Sequence, residues 1–89
     1  MHNTLKDNYY HFIGIGGIGM SALAGMLLRK GHKVSGSDIS ASSITAMLAS
    51  QGAIIRIGHA RENVQDKPAV VYSSAIAESN PEMMEATNE

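Results

Sequence analysis

A short glycine-rich run near the start of the chain has the composition and spacing to hold a phosphate. Residues 14–19 read Gly-Ile-Gly-Gly-Ile-Gly, which contains the pattern G-x-G-x-x-G. Gly14 would permit a tight turn, Gly16 would let a phosphate approach the backbone, and Gly19 would let a following helix pack closely on a strand. The free N–H groups from Gly16 to Gly19 and the helix dipole would then face an anion. The run therefore predicts a pyrophosphate site.

The same run lacks the groups that bind ATP for hydrolysis. A Walker A loop continues as Gly-Lys-Ser/Thr, and no such triplet follows Gly19. No lysine and hydroxyl are therefore placed for the β- and γ-phosphates and Mg²⁺. We expect the chain to bind a nucleotide diphosphate ester without hydrolysing ATP.

Asp38 is the second candidate ligand residue. It follows Gly19 by 19 residues, at the end of a predicted strand, where an acid in dinucleotide-binding folds accepts hydrogen bonds from a ribose. Asp38 could instead cap the turn or helix that follows. The spacing does not separate NAD from a UDP-sugar, because both ligands carry a pyrophosphate and a ribose.

Strands and helices alternate along the chain. The glycine run lies between a β-branched and aromatic segment and an amphipathic one with Met20, Leu23, Ala24 and Leu27 on its buried face. The predicted strands are Tyr9–Ile15, Lys33–Ser37, Ala53–Ile57 and Ala69–Tyr72, and the predicted helices are Gly19–Lys30, Ser42–Gln51 and one opening at Asn80-Pro81-Glu82. In the second helix Ile44, Met47 and Leu48 share one side.

Residues 1–8 are predicted to be a loose leader, and residues 58–68 a loop with one helical turn. This order predicts an α/β fold, a Rossmann-like three-layer domain with a parallel sheet of about four strands.

The composition narrows the class of protein. The 89 residues allow one small domain, with a net charge of −1, and lack the clustered Lys and Arg of a nucleic-acid surface. No stretch reaches the ~18 apolar residues of a membrane span, and no signal peptide is recognisable. There is no cysteine, and the four histidines have no metal-ligand spacing. We expect a cytoplasmic domain with no metal, nucleic-acid or membrane partner.

Five ordered segments of the chain form a recognisable set: HFIGIGGIGMSALA (His11 to Ala24), VSGSD (Val34 to Asp38), Gly58-His59, Ser73-Ser74-Ala75-Ile76 and Asn80-Pro81-Glu82. Together they resemble the amino-terminal domain of the Mur ligase family, in particular the ligases that add L-alanine to UDP-N-acetylmuramate. They span residues 11 to 82, so they are more specific than the glycine pattern alone. The resemblance implies that residues 9–89 are a UDP-sugar-binding domain and that the domains for ATP and the amino acid lie outside this sequence.

The resemblance also implies a reaction for the whole enzyme. ATP and Mg²⁺ would phosphorylate the lactyl carboxylate of UDP-N-acetylmuramate, and the amine of L-alanine would attack the acyl phosphate. None of that catalytic equipment is in these 89 residues, so we expect this chain alone to be inactive, with no catalytic residue and no cofactor of its own. The residues implied to bind the UDP-sugar are Gly14, Gly16, Gly17, Ile18, Gly19, Ser37, Asp38, His59, Ser73, Ser74 and Ala75.

Three alternatives remain open at this point. The first is a related ligase that attaches a recycled murein peptide to the same sugar nucleotide. The second is the NAD-binding half of an oxidoreductase, and the third is a non-catalytic nucleotide-sensing module. His59 could also be an ordinary loop histidine, and the serines could simply cap loops.

Overall fold

The predicted alternation of strands and helices is confirmed. A computed structural model describes residues 8–66 and 68–87, so the predicted leader lies outside the described residues except for Asn8. The strands are β1 (Tyr9–Ile13), β2 (Lys33–Asp38), β3 (Ile54–Ile57) and β4 (Ala69–Val71), and the helices are α1 (Ile18–Arg29), α2 (Ser43–Ser50) and α3 (Pro81–Thr87). One turn of 3-10 helix, Arg61–Val64, lies in the predicted loop before β4.

The four strands form one parallel sheet in the order β3-β2-β1-β4. The chain moves outward from β1 through β2 to β3, and then crosses back to place β4 on the other side of β1. The direction of winding therefore reverses between β1 and β4. In open α/β sheets, ligands bind at the carboxyl ends of the strands where this reversal occurs.

Helices cover both faces of the sheet, which confirms the three-layer architecture. On one face, α1 and α2 pack over a cluster of buried apolar residues: Phe12, Ile15, Ala24, Leu27, Val34, Leu48 and Ala53. Side chains alternate between the two faces along a strand, so His11 and Ser35 point away from this cluster. On that second face, α3 is attached through Glu82, which contacts the His11 ring.

Two predicted helix faces need correction. In α1, Ala24 and Leu27 are buried as predicted, but Leu23 is 37% exposed and Gly25 is buried in its place. In α2, Met47 is half-exposed, because the buried stripe runs through Thr45 and Leu48. Ser42 caps α2, in a reciprocal capping box with Thr45.

The predicted role of Gly19 in close packing is wrong. Gly19 is exposed, and a Cβ added there would meet no atom within 4 Å. The close approach occurs at Gly36 in β2, where an added Cβ would lie 2.6 Å from the Cβ of Ile15. The loop after β1 therefore packs against the sheet because β2 lacks a side chain at this position.

We expect Gly36→Ala to lower the free energy of unfolding by about 1–3 kcal/mol, because the methyl group overpacks the contact with Ile15. Urea denaturation measures the change. The matched variant Gly19→Ala adds the same methyl group in open space on a helix, where alanine is favoured over glycine, and should cause no loss. An equal loss in both variants would contradict this account of Gly36.

Candidate functional site

A pocket lies at the carboxyl edge of the sheet, where the winding reverses. Its volume is about 410 Å³. It is lined by the loop after β1, the residues after β2 and the loop after β4: Gly14, Gly16, Gly17, Met20, Asp38, Ser40, Ser42, Ser73, Ala75 and Ile76. The fold thus brings the glycine run, Asp38 and the loop after β4 together, although they are far apart in sequence.

The glycine loop is anchored on the end of β2. The N–H groups of Gly14 and Ile15 both donate to the carbonyl of Ser37, over 2.8 and 3.0 Å. Gly14 has a φ of +83°, a backbone conformation that favours glycine. The prediction that Gly14 permits the tight turn is therefore confirmed.

Asp38 holds the next residue of the loop. Its Oδ2 accepts the N–H of Gly16 over 2.7 Å, and its Oδ1 accepts the N–H of Ile39 over 2.8 Å. A Cβ at Gly16 would lie 2.8 Å from Oδ2, so this carboxylate reaches the backbone only because Gly16 has no side chain. The acid predicted to contact a ribose therefore also fixes the shape of the loop.

The amino terminus of α1 opens directly after this loop. Gly17 is the N-cap and provides no side-chain cap, and its carbonyl accepts the first helical N–H, from Ser21, over 2.8 Å. The N–H groups of Ile18, Gly19 and Met20 precede that bond, so they have no acceptor within the helix. They lie at the positive end of the helix dipole, and no acidic residue occupies the first turn.

The N–H donors available to an anion differ from those expected. Gly16 donates to Asp38, and Gly17 donates to the carbonyl of Gly14 over 3.1 Å, so both are used within the loop. Of the predicted donors, Ile18 and Gly19 remain. The Ile18 side chain is 87% exposed beside them.

The loop after β4 closes the other side of the pocket. All three residues 73–75 are exposed, and of them Ser73 and Ala75 line the pocket whereas Ser74 does not. The Oγ of Ser73 accepts the N–H of Ala75 over 3.3 Å. A Cβ at Gly14 would lie 3.3 Å from Cδ1 of Ile76, so the loop after β1 lies against the loop after β4.

Ser37 lies behind the pocket wall and does not line the pocket. Its side chain is fully buried, and its hydroxyl donates to Oε1 of Glu82 over 2.6 Å. The same Oγ lies 2.7 Å from Nδ1 of His59, whose side chain is 14% exposed. The predicted contact of Ser37 with uridine therefore needs correction, since its hydroxyl is used inside the protein to hold His59.

Glu82 is the centre of a buried polar cluster that the sequence did not reveal. Its side chain is fully buried, and its two oxygens accept four hydrogen bonds. The donors are His11 Nε2 (2.7 Å), Ser37 Oγ (2.6 Å), Asn63 Nδ2 (2.6 Å) and the N–H of Ala60 (3.0 Å). Burial by itself raises the pKa of Glu82, but these hydrogen bonds, led by the one from His11, outweigh burial and lower the pKa to about 2. The group is therefore a carboxylate at neutral pH.

A sequence signal for this cluster exists. His11 interrupts an apolar strand, and Ser35 and Ser37 alternate with Val34 and Gly36 along the next strand. Together they place polar groups on one face of two neighbouring strands. Polar groups buried in this way require partners, and Glu82 provides one.

Within residues 8–66 and 68–87, no group of three or more His, Cys, Asp or Glu side chains is arranged to hold a metal ion. In the same part of the chain, no helix has the length and apolar character needed to cross a membrane.

Fold and pocket together define a Rossmann-like α/β domain with a glycine loop at its switch point. Residues 9–89 match the family model described as "Mur ligase family, catalytic domain", and the chain belongs to this family.

The relatives with curated names to which the chain is similar include ligases named for UDP-N-acetylmuramate and L-alanine. The chain is 58% identical over 77 residues to a UDP-N-acetylmuramate–L-alanine ligase of Aquifex aeolicus, covering 86% of this chain and 17% of the relative. It is 58% identical over 81 residues to the ligase of the same name from Geobacter sulfurreducens, covering 91% of this chain and 18% of the relative. The chain thus spans less than a fifth of the length of these relatives.

Solved structures agree on the fold. A murein peptide ligase from Psychrobacter arcticus superposes with a TM-score of 0.78 at 29% identity, over 86% of this chain and 16% of that one. The second structure is a UDP-N-acetylmuramate:L-alanyl-γ-D-glutamyl-meso-diaminopimelate ligase from Neisseria meningitides. It superposes with a TM-score of 0.72 at 27% identity, over 88% of this chain and 25% of that one.

Glu82 should make the stability of the fold sensitive to acid. Its pKa is lowered in the folded chain, so its contribution is complete above the ordinary value of 4.5 and is lost as the pH falls to about 2. The free energy of unfolding should fall by on the order of 3 kcal/mol over that range from this group. Chemical denaturation at a series of pH values measures the fall.

Glu82→Gln should remove this part of the acid dependence while lowering stability at neutral pH. Glu62→Gln is the matched control, because the Glu62 side chain is 63% exposed and lies outside the cluster. A Glu82→Gln variant with the same acid dependence as the unchanged chain would show that Glu82 is not responsible.

Proposed function

We propose that this chain binds the UDP-N-acetylmuramate substrate of an ATP-dependent ligase that joins L-alanine to it. The observation that supports this most directly is the pocket at the switch point, which is lined by Gly17 and Met20, the residues on either side of the free N–H groups of Ile18 and Gly19. An anion placed there would meet backbone donors and the positive end of a helix dipole. The diphosphate of the nucleotide is the group that fits this chemistry.

The ligand would use both walls of the pocket. Its diphosphate would lie against Ile18 and Gly19, over the bare backbone of Gly14, Gly16 and Gly17. Asp38 lines the pocket and would accept hydrogen bonds from the ribose while keeping its bond to the loop. The serine loop, residues 73–75, would donate from the opposite wall, and His59 would contact the nucleoside from the β3 side.

Sequence identity supports the alanine-adding ligase over the murein peptide ligase. Curated ligases named for L-alanine are 52–58% identical to this chain, whereas the two solved murein peptide ligases are 27–29% identical. ATP, Mg²⁺ and L-alanine would be bound by parts of such an enzyme other than residues 9–89. In this proposal the chain binds the sugar nucleotide, and we expect it to have no ligase activity on its own.

Amide chemical shifts measured by NMR during a ligand titration test the proposal. UDP-N-acetylmuramate should shift the amides of Ile18, Gly19, Asp38 and Ser73, and NAD at equal concentration should shift them little. Ligand-induced shifts from NAD alone would favour the NAD-binding oxidoreductase instead. No response to either ligand would contradict binding by this chain.

Asp38→Asn should weaken binding of UDP-N-acetylmuramate about five- to tenfold. An amide retains only one acceptor oxygen, so either Gly16 or Ile39 loses its charge-assisted hydrogen bond and the loop is less ordered. Isothermal titration calorimetry measures the change. Asp66→Asn is the matched control, since Asp66 is exposed and precedes the amino end of β4, and it should bind with unchanged affinity. Equal affinities in all three chains would contradict the role given to Asp38.

A further inference from the structure

The hydrogens in the Glu82 cluster can be assigned from its geometry. Ser37 Oγ lies 2.6 Å from Glu82 Oε1 and 2.7 Å from His59 Nδ1, so it bonds to both. A carboxylate has no hydrogen to donate, and a serine hydroxyl has one. The hydrogen of Ser37 must therefore point to Glu82, since otherwise two oxygen lone pairs would face each other inside the protein.

This assignment determines the protonation of the His59 ring. With its hydrogen directed at Glu82, Ser37 Oγ can only accept from His59, so the hydrogen of the neutral imidazole is on Nδ1. Glu82 Oε2, which lies 3.7 Å from Nδ1, favours the same form electrostatically. The other nitrogen, Nε2, then carries a lone pair, and no hydrogen bond within the described residues engages it.

His59 is held at the edge of the sheet that forms the pocket. His59 does not line the pocket, but the preceding residue, Gly58, donates its N–H over 2.7 Å to the carbonyl of Asp38, which does. Its ring is partly exposed, whereas Ser37 and Glu82 behind it are fully buried. The buried pair thus supports a side chain that is itself partly exposed at the carboxyl edge of the sheet.

We propose that Glu82 and Ser37 are positioning residues that fix His59 in its Nδ1–H form, so that Nε2 accepts a hydrogen bond from the bound nucleotide. The ligand group would be a hydrogen-bond donor, either a ribose hydroxyl or the imide N–H of the base. The ligand part of this inference rests on the proposed function, whereas the tautomer is a property of the chain alone.

The tautomer is measured by ¹⁵N–¹H correlation spectra of the histidine side chains of the unliganded chain, at about pH 8.5, where an ordinary imidazole is neutral. His59 should show a protonated Nδ1 and an unprotonated Nε2. A protonated Nε2 in the unchanged chain would overturn the inference, and this result requires no variant to fold.

Ser37→Ala tests the route through which Glu82 acts. Without the hydroxyl, His59 should shift toward the Nε2–H form that free imidazole side chains favour in water. Ser35→Ala is the matched control, because Ser35 is a buried serine on the same face of β2 that contacts Nδ1 of His11 instead. It should leave the His59 spectrum unchanged. Equal spectra for His59 in both variants would overturn the role of Ser37.

The contact between His59 and the bound nucleotide is tested with UDP as the probe. The ¹⁵N signal of His59 Nε2 should move when UDP binds. If the amides of Ile18 and Gly19 respond but Nε2 does not, the inference about His59 is wrong while the proposed function stands. If neither responds, the proposed function fails, and with it the ligand part of the inference.

Two analogues of UDP identify the ligand group. A shift of Nε2 that is lost with 2′,3′-dideoxy-UDP assigns the donor to the ribose, and one lost with N3-methyl-UDP assigns it to the base. A shift that persists with both analogues would overturn a hydrogen bond from either group.

Discussion

The last two residues of β2 hold the whole carboxyl edge of the sheet together. The carbonyl of Ser37 accepts two N–H groups of the glycine loop, and the carboxylate of Asp38 accepts a third. The carbonyl of Asp38 also fixes Gly58, and the Ser37 hydroxyl links His59 to Glu82. The loops after β1 and β3 are thereby set relative to one strand end. A preorganised edge of this kind loses little conformational entropy when a ligand binds.

The two faces of the sheet are stabilised by different interactions. The face under α1 and α2 is apolar, and its packing depends on close contacts such as that between Gly36 and Ile15. The other face contains His11, Ser35 and Ser37, and its helix α3 is attached through the buried carboxylate of Glu82. Removing one partner of such a cluster leaves buried polar groups unsatisfied, so the cluster fixes the position of α3 more strictly than apolar packing would.

The sequence predicted the elements well because local signals marked them. The alternation of strands and helices, the glycine turn and the Asn80-Pro81 start match the structure. Prediction from the sequence failed where the structure depends on contacts between residues that are distant in sequence. The use of the Gly16 N–H by Asp38, the burial of Ser37 and the position of Glu82 beside His11, 71 residues away, follow only from the packed sheet. Gly19 has the expected spacing, yet the close contact lies at Gly36.

In the proposed function, this edge binds the diphosphate of a sugar nucleotide at the amino terminus of α1. A crystal structure of the chain with UDP-N-acetylmuramate tests it most directly. We expect diphosphate oxygens within hydrogen-bond distance of the Ile18 and Gly19 N–H groups, while the Gly16 N–H still donates to Asp38. A nucleotide bound elsewhere on the chain, or one whose diphosphate displaces Asp38 from Gly16, would contradict it.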